Sequence, residues 1–540
     1  MTRTLARRWR VLAGCVAATL ALTGCTLPVF APRTDAGAPD RAPAGPVGSA
    51  ADWKPCPETA RELVGRTAPD MRYDCATVAV PRDWLAAGGT AAPATAAPAT
   101  GTSATPSNSA TFDLALIRAR STRQRDRIGS LLINPGGPGG SGVDTAVYLS
   151  FGPAFGGLPD DVTERFDIVG FDPRGVSRSS PVECVSDANL DASFGYDPDP
   201  ESQAGFDGLV ALNQRIGEAC ADKYGDELRL FSTEQAARDM DAIRAAVGDE
   251  KLTYLGYSYG TLLGATYAQL FPRNVRALVL DGAVDPRQDS VADSESQAKG
   301  FELAFTNFTR WCAQTPSRCP IAPDARKAVT DALAKADVSP VRGRDGRTAT
   351  GGWVLYAVIS SLYTESGWEE LAKAIDRLEG GDPTGVFTLA DSYAERDADG
   401  TYSNLFDANL TINCADDEGT PDVARIRELQ AQWRAKYPLF GPALATGLLT
   451  CRYWPGQRDP YPTGPATGAP PILVVGTTGD PATPYEQTPK LADMLGVGTV
   501  LTWEGEGHTA YPQTRCVTEA VDAYLVDLTV PPTGLRCPAR

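Results

Sequence analysis

Leu252-Thr253-Tyr254-Leu255-Gly256-Tyr257-Ser258-Tyr259-Gly260-Thr261-Leu262-Leu263-Gly264-Ala265 is the stretch on which the fold turns. Its first four residues read as a buried strand, and Thr261 onward reads as a helix running to Leu270. Between them, Gly256 and Gly260 flank Ser258 in the pattern Gly-x-Ser-x-Gly. Where a strand turns at once into a helix, a side chain at either glycine would collide, and the tight turn lifts the serine hydroxyl into a cleft. The pentapeptide alone is a weak signal in a chain with 53 glycines, so the strand before it and the helix after it carry the reading.

Elements of the same kind lie on both sides. Leu131-Leu132-Ile133 and Phe166 to Phe171 are buried-strand runs, the first ending in a glycine loop and the second at Asp172-Pro173-Arg174-Gly175. Residues 233–247 place Ala236, Met240, Ile243 and Val247 at helical spacing before Gly248, and 277–280 is a further strand. This βαβ order predicts a mostly parallel sheet with helices on both faces, an α/β class. Earlier, strands at 76–80 and 112–118 flank a low-complexity stretch, 86–111, that reads as an overgrown hairpin loop. The rhythm stops after about Asp285 and returns at 471–475, followed by a strand at 500–503 and a helix at 517–528. The intervening stretch, mostly helical and containing Trp311, Trp353 and Trp368, reads as an inserted cap. The expected organisation is a signal peptide at 1–24, a Pro/Ala/Gly-rich tether at 25–50, the first part of the core at 51–285, the cap at 286–465 and the rest of the core at 466–540.

A serine is a poor nucleophile without a base near neutrality, and the chain contains one histidine, His508, in Gly505-Glu506-Gly507-His508-Thr509 after a C-terminal strand. A carboxylate must then hold the imidazole tautomer and stabilise its cation. Asp480, in Gly479-Asp480-Pro481-Ala482-Thr483-Pro484 after the strand at 472–475, preserves the Ser, Asp, His order of the α/β-hydrolase fold. Asp281 and Asp285, at the end of the strand after the nucleophile helix, compete for the role. The tetrahedral intermediate needs N–H donors. The loop Asn134 to Gly142 supplies Gly137, and Tyr259 supplies the second. That loop lacks a Gly-Lys-Ser/Thr ending and so does not read as a nucleotide site.

Composition sets the compartment. Arg3, Arg7, Arg8 and Arg10 precede an apolar run, 11–23, and then Gly24-Cys25, the layout of a bacterial export signal. Leu22-Thr23-Gly24-Cys25 resembles a lipoprotein signal, which would make Cys25 the lipidated N-terminus and a membrane anchor facing outward. Leu12-Ala13-Gly14-Cys15 has the same spelling but too short an apolar stretch before it. Loss of residues 1–24 removes four arginines and no acids, taking the formal charge from −17 to −21, so nucleic acid is not an expected partner. Beyond Cys15 and Cys25, ten cysteines remain, an even number that implies disulfides in an exported chain. Pairing of sequence neighbours is expected: 56 with 75, 184 with 220, 312 with 319, 414 with 451, 516 with 537. Spacing leaves connectivity open. No metal or organic cofactor is implied, since no Cys-x-x-Cys pair or second histidine exists.

Together these elements resemble the tripeptidyl aminopeptidase and proline iminopeptidase family of actinobacterial α/β-hydrolases. The likeness runs from about Cys75 to Cys537 and rests on Asn134 to Gly142, on Asp172 to Ser177, on Asn413-Cys414-Ala415-Asp416 and on the block holding Asp480 and His508. It implies a serine peptidase that releases short peptides from a free N-terminus, with acidic groups of the cap pairing the substrate ammonium. Glu365, Glu369, Glu370 and Asp416 are the candidates for that charge. Proline iminopeptidases carry His-Gly-Gly-Pro where this chain has Pro135-Gly136-Gly137-Pro138, which points away from strict proline release. The same residues suit a cell-envelope carboxylesterase acting on small esters or lipids. A lipoprotein that binds peptides in the cleft without turning them over is the reading from another class.

Overall fold

The computed structural model describes residues 47–87 and 111–539. The stretch expected to be the signal peptide, Cys25, all but the last residues of the expected tether and nearly all of the low-complexity stretch lie outside the described residues. Ten strands form one sheet: β1 (Lys54–Pro55), β2 (Met71–Pro81), β3 (Thr111–Ser121), β4 (Gly129–Asn134), β5 (Phe166–Phe171), β6 (Leu252–Tyr257), β7 (Val275–Asp281), β10 (Ile472–Gly479), β11 (Gly498–Glu506) and β12 (Leu535–Cys537). The remaining pair, β8 (Val341–Arg342) and β9 (Thr348–Ala349), makes a small separate ribbon. In the main sheet the order is β1-β2-β3-β5-β4-β6-β7-β10-β11-β12. β1, β2, β3 and β5 pair antiparallel in turn, and every later pairing is parallel. The two strands around the low-complexity stretch do form a hairpin pair, in register from Met71↔Ser121 to Pro81↔Thr111.

Strand residues alternate between two buried layers, because successive side chains point to opposite faces. Leu132, Tyr254, Leu278, Leu280 and Val474 face the helices at 233–246 and 259–270. Leu131, Ile133, Leu255, Val279 and Val475 face the helices at 142–149 and 515–527. The α/β-hydrolase fold follows: a parallel sheet covered on both faces, with the loops at the C-terminal strand ends free to carry chemistry.

Between Asp281 and Ile472 the regular elements are helices apart from the β8–β9 ribbon. These helices build a third core around Phe305, Phe308, Trp353, Trp368 and Phe387. The excursion at 187–224, which the sequence reading grouped with the first core part, partly joins this layer. Helix Asp187–Phe194 buries Leu190 and Phe194 there, and the Phe194 ring stacks 5.7 Å from Trp353. No motif in this stretch tells which layer the apolar face of that helix covers. All five expected cysteine pairs are bonded. Among the described residues, no helix is long and apolar enough to cross a membrane.

Candidate active site

Ser258 stands between β6 and the helix Tyr259–Leu270 with φ 55° and ψ −125°, a strained conformation for a residue with a side chain. Two glycines make the turn possible. A Cβ on Gly256 would lie 2.4 Å from Gly260 O, and one on Gly260 2.9 Å from Asn134 O. The turn is pinned by Ser258 N–H donating to Asp281 O (2.8 Å), by Thr261 N–H donating to Ser258 O (2.8 Å), and by the Tyr254 hydroxyl donating to Gly260 O (2.8 Å). The glycine loop after β4 lies directly against it: a Cβ on Gly136 would come within 2.5 Å of Tyr257 O and 2.8 Å of Ser258 Cβ. Asn134 Oδ1 accepts from Gly136 N–H, while Asp172 accepts from the Ser141 hydroxyl at 2.6 Å and from Val143 N–H. The Asp172-Pro173-Arg174-Gly175 motif thus acts as scaffold. Arg174, wholly buried, is held by Asp239 and by the carbonyls of Pro81, Arg82 and Leu230.

His508 follows β11. Its Nδ1 lies 2.9 and 3.0 Å from the two oxygens of Asp480, so hydrogen on Nδ1 leaves the Nε2 lone pair as the ring's base. Asp480 is 1% exposed and also accepts from Ala482 N–H, Thr483 N–H, the Thr483 hydroxyl and Thr509 N–H. The ring is braced from the inserted helices: His508 N–H donates to Tyr363 O (2.8 Å), and the Tyr363 ring meets the imidazole edge to face at 5.3 Å. His508 Cε1 is 3.1 Å from where a Cβ of Gly282 would stand, one residue beyond the carbonyl that holds Ser258 N–H. Burial disfavours charge on the ring, but the charge and hydrogen bond of Asp480, with a smaller effect of Asp281, outweigh it and raise the His508 pKa.

The competing carboxylates have other employment. Asp281, fully buried, accepts from Ala510 N–H (3.0 Å) and Tyr511 N–H (2.7 Å) and so anchors the chain just after His508. Burial pushes its pKa up to about 7 against those two hydrogen bonds. Asp285 is paired with Arg287 at 2.8 Å.

The acids expected to hold a substrate ammonium separate into three situations. Glu365 lines a cavity of about 400 Å³ together with Tyr363, Trp503, Glu506 and His508. Glu369 and Glu370 lie on the helix Trp368–Glu379, where Glu369 pairs with Arg318 and Lys373 and Glu370 with Lys373; neither lines that cavity. Asp416 stands apart from both: it is 9% exposed, and its oxygens accept from Thr233 N–H (2.8 Å) and the Thr233 hydroxyl (2.5 Å). Burial drives its pKa up to about 8 despite those bonds, the nearby Asp459 adding to the rise. Both oxygens are thus engaged by Thr233, and Asp416 does not line the cavity beside His508.

Several neighbours escaped the sequence reading. Thr483, whose hydroxyl donates to Asp480 (3.1 Å) and sits 3.4 Å from His508 Nδ1, is visible only as part of the Asp480 motif. Glu506 stands two residues before His508 and accepts from Asn307 Nδ2 at 2.9 Å. Burial raises its pKa, Asn307 counteracts, and the nearby Glu365 adds to the rise. Tyr363 and Asn307 come from the inserted helices and carry no motif.

The strand order, the strained serine turn and the carboxylate-braced imidazole define a serine hydrolase of the α/β-hydrolase fold. Residues 437–537 match the family described as TAP-like protein. Serine protease Hip1 of Mycobacterium tuberculosis is 36% identical over 550 residues, covering 99% of this chain and 98% of the relative. Carboxylesterase B of Mycobacterium tuberculosis is 36% identical over 526 residues, 94% of each chain. The tripeptidyl aminopeptidase of Streptomyces coelicolor is 30% identical over 420 residues, 76% of this chain and 77% of the relative. The chain belongs to this tripeptidyl aminopeptidase-like family of α/β-hydrolases.

Proposed function

We propose that the protein is an exported serine peptidase that releases short peptides from free N-termini through an acyl-enzyme. Ser258 Oγ attacks the scissile carbonyl while its proton passes to His508 Nε2, and Asp480 stabilises the imidazolium. The oxyanion is held by the N–H groups of Gly137 and Tyr259. Collapse breaks the C–N bond as His508 returns the proton to the leaving amine, and water then cleaves the Ser258 ester by the same route. The observation that carries the reading is the two-oxygen grip of Asp480 on His508 Nδ1, beside a serine held at positive φ. Peptide as substrate is supported by the relatives named serine protease and tripeptidyl aminopeptidase. In this reading Glu365, beside His508, is the acid that meets the substrate ammonium, and Cys25 carries the lipid that holds the enzyme outside the membrane. The five disulfides suit that oxidising exterior.

A second reading, a carboxylesterase, is favoured by the relative of that name at the same 36% identity. Release from mono-, di- and tripeptidyl anilides and from a short-chain ester separates the two. Ser258-dependent cleavage of free-amino peptides, lost on N-blocking, supports the peptidase, and ester cleavage alone moves the assignment to the esterase. Fatty-acid labelling that persists in Cys25→Ser removes the anchor.

A further inference from the structure

Two oxyanion donors on two different elements act together only if both N–H groups lie about 2.7 to 3.1 Å from one point. One rigid element touches both. The helix Leu405–Asp416 meets the glycine loop after β4 near one end and Thr233 at the other. Near its start, Asn409 Nδ2 donates to Pro138 O (3.0 Å), the carbonyl one residue beyond Gly137. The contact is intimate: a Cβ on Gly139 would stand 2.5 Å from Leu405 O and 3.2 Å from Asn409 N. At its end, Asp416 accepts from the Thr233 hydroxyl at 2.5 Å, and Thr233 Oγ1 lies 2.6 Å from the Tyr259 hydroxyl. A hydroxyl has one proton, so Thr233, donating to the carboxylate, accepts from Tyr259. From Asn409 to Asp416 is about 10.5 Å of helix at 1.5 Å per residue.

The helix is itself immobilised. Asn404 takes Ser177 N–H and donates to Gly175 O and Val182 O, while Asp407 takes the N–H groups of Cys184 and Val185. At the other end, Cys414 is bonded to Cys451, and Asp459 N–H donates to Ala415 O.

We propose that this helix, although it lies within the inserted segment, is the positioning element of the oxyanion hole. Asn409 sets the Gly137 loop, and Asp416, through Thr233, sets Tyr259. The inference rests on the reading of Gly137 and Tyr259 as oxyanion donors. Asn409, Thr233 and Asp416 are positioning residues, acting through the two backbone donors and touching no substrate. A sideways shift of either anchor then displaces one donor from the other, weakening the hold on the tetrahedral intermediate while leaving the planar ground state bound as before.

The test uses the full exported enzyme and three variants that each remove one link: Asn409→Leu, Thr233→Val and Tyr259→Phe, the last two leaving Asp416 free to take Thr233 N–H. Each is expected to lower kcat about tenfold with KM within twofold, short of the 10²- to 10³-fold that follows from deleting a donor. Inhibition by a peptide boronic acid, which reproduces the tetrahedral state, weakens in parallel with kcat/KM. Affinity for uncleaved peptide in the Ser258→Ala background stays unchanged. Asp416→Asn, which keeps an acceptor for Thr233 N–H and a hydrogen bond to its hydroxyl, retains most of kcat where Asp416→Ala loses it. Folded variants with kcat within twofold of wild type overturn the proposal, as does a rise in KM with boronate affinity intact, which would make these residues substrate contacts. Turnover that survives Ser258→Ala instead sinks the hydrolase reading beneath it.

Discussion

The strand ends and the outer helix Trp368–Glu379 treat carboxylates in opposite ways. Asp480 and Asp281, at the ends of β10 and β7, are 1% and 0% exposed, and their partners are backbone N–H groups, a threonine hydroxyl and an imidazole. Glu369 and Glu370 lie on an outer helix face and pair with the flexible side chains of Arg318 and Lys373. A carboxylate fixed by backbone donors holds one geometry, and nothing can replace it. One paired with solvated arginine and lysine is readily replaced by water. Chemistry therefore belongs to the first kind of site, and the largest effect of mutation is expected there. Ser258→Ala and Asp480→Asn should each lower kcat by about 10⁴-fold or more while circular dichroism and the melting transition show a folded protein. A loss below tenfold from Asp480→Asn would break the comparison at its strongest point.

The disulfides extend the contrast to stability. Cys414–Cys451 closes 37 residues and Cys312–Cys319 only 7. Chain entropy assigns the longer loop about 4 kcal/mol and the shorter about 2 kcal/mol. Paired Cys→Ser variants, compared by denaturant unfolding, should lose stability in that order. Equal losses would mean that native-state packing rather than loop closure sets the value of each bridge.

Sequence legibility divides along the same line. β4, β5, β6, β7 and β10 are readable because strands buried on both faces are near-continuous apolar runs, and each ends in a glycine or aspartate motif; β11, partly exposed, is marked by Val500 to Trp503 and the histidine motif after it. The triad candidates sit on those motifs. The inserted helices bind by generic apolar faces, so their helical character is readable, but not which loop Tyr363 or Asn409 reaches. Asp416 shows the cost. Its Asn-Cys-Ala-Asp motif marks it as special, yet the sequence cannot tell a carboxylate open to ligand from one closed over Thr233. Glu369 and Glu370 differ again, since helical spacing to Lys373 gives them partners of their own.

The pH profile probes the coupling within the first region. The base must be neutral, and the pull of Asp480 raises the His508 pKa over the opposing effect of burial. The kcat/KM profile should therefore fall on acidification, with its midpoint above the ordinary imidazole value, and the limb is shared by His508 and Asp281, whose charges act on each other. In the residual activity of Asp480→Asn the midpoint should move to lower pH, because the charge that favours the imidazolium is gone. A wild-type profile still flat at about pH 5 would remove His508 from the role of base.

The smallest effects sharpen the comparison from the other side. Glu369→Gln and Glu370→Gln remove charges whose partners are solvated, so each should shift stability by less than about 0.5 kcal/mol and leave KM for free-amino peptides within about twofold. Glu365 belongs to the same inserted segment but lines the cavity beside His508 and raises the pKa of Glu506. Its loss should cost about 1 kcal/mol in binding, a roughly fivefold rise in KM for peptides with a free N-terminus. N-blocked esters should be indifferent to it, because they bring no ammonium to the cavity. If Glu369→Gln or Glu370→Gln matches Glu365→Gln, the ammonium is held by the diffuse negative field of the inserted helices. If Glu365→Gln alone raises KM, and only for the free amine, one carboxylate placed within reach of the imidazole accounts for the selectivity.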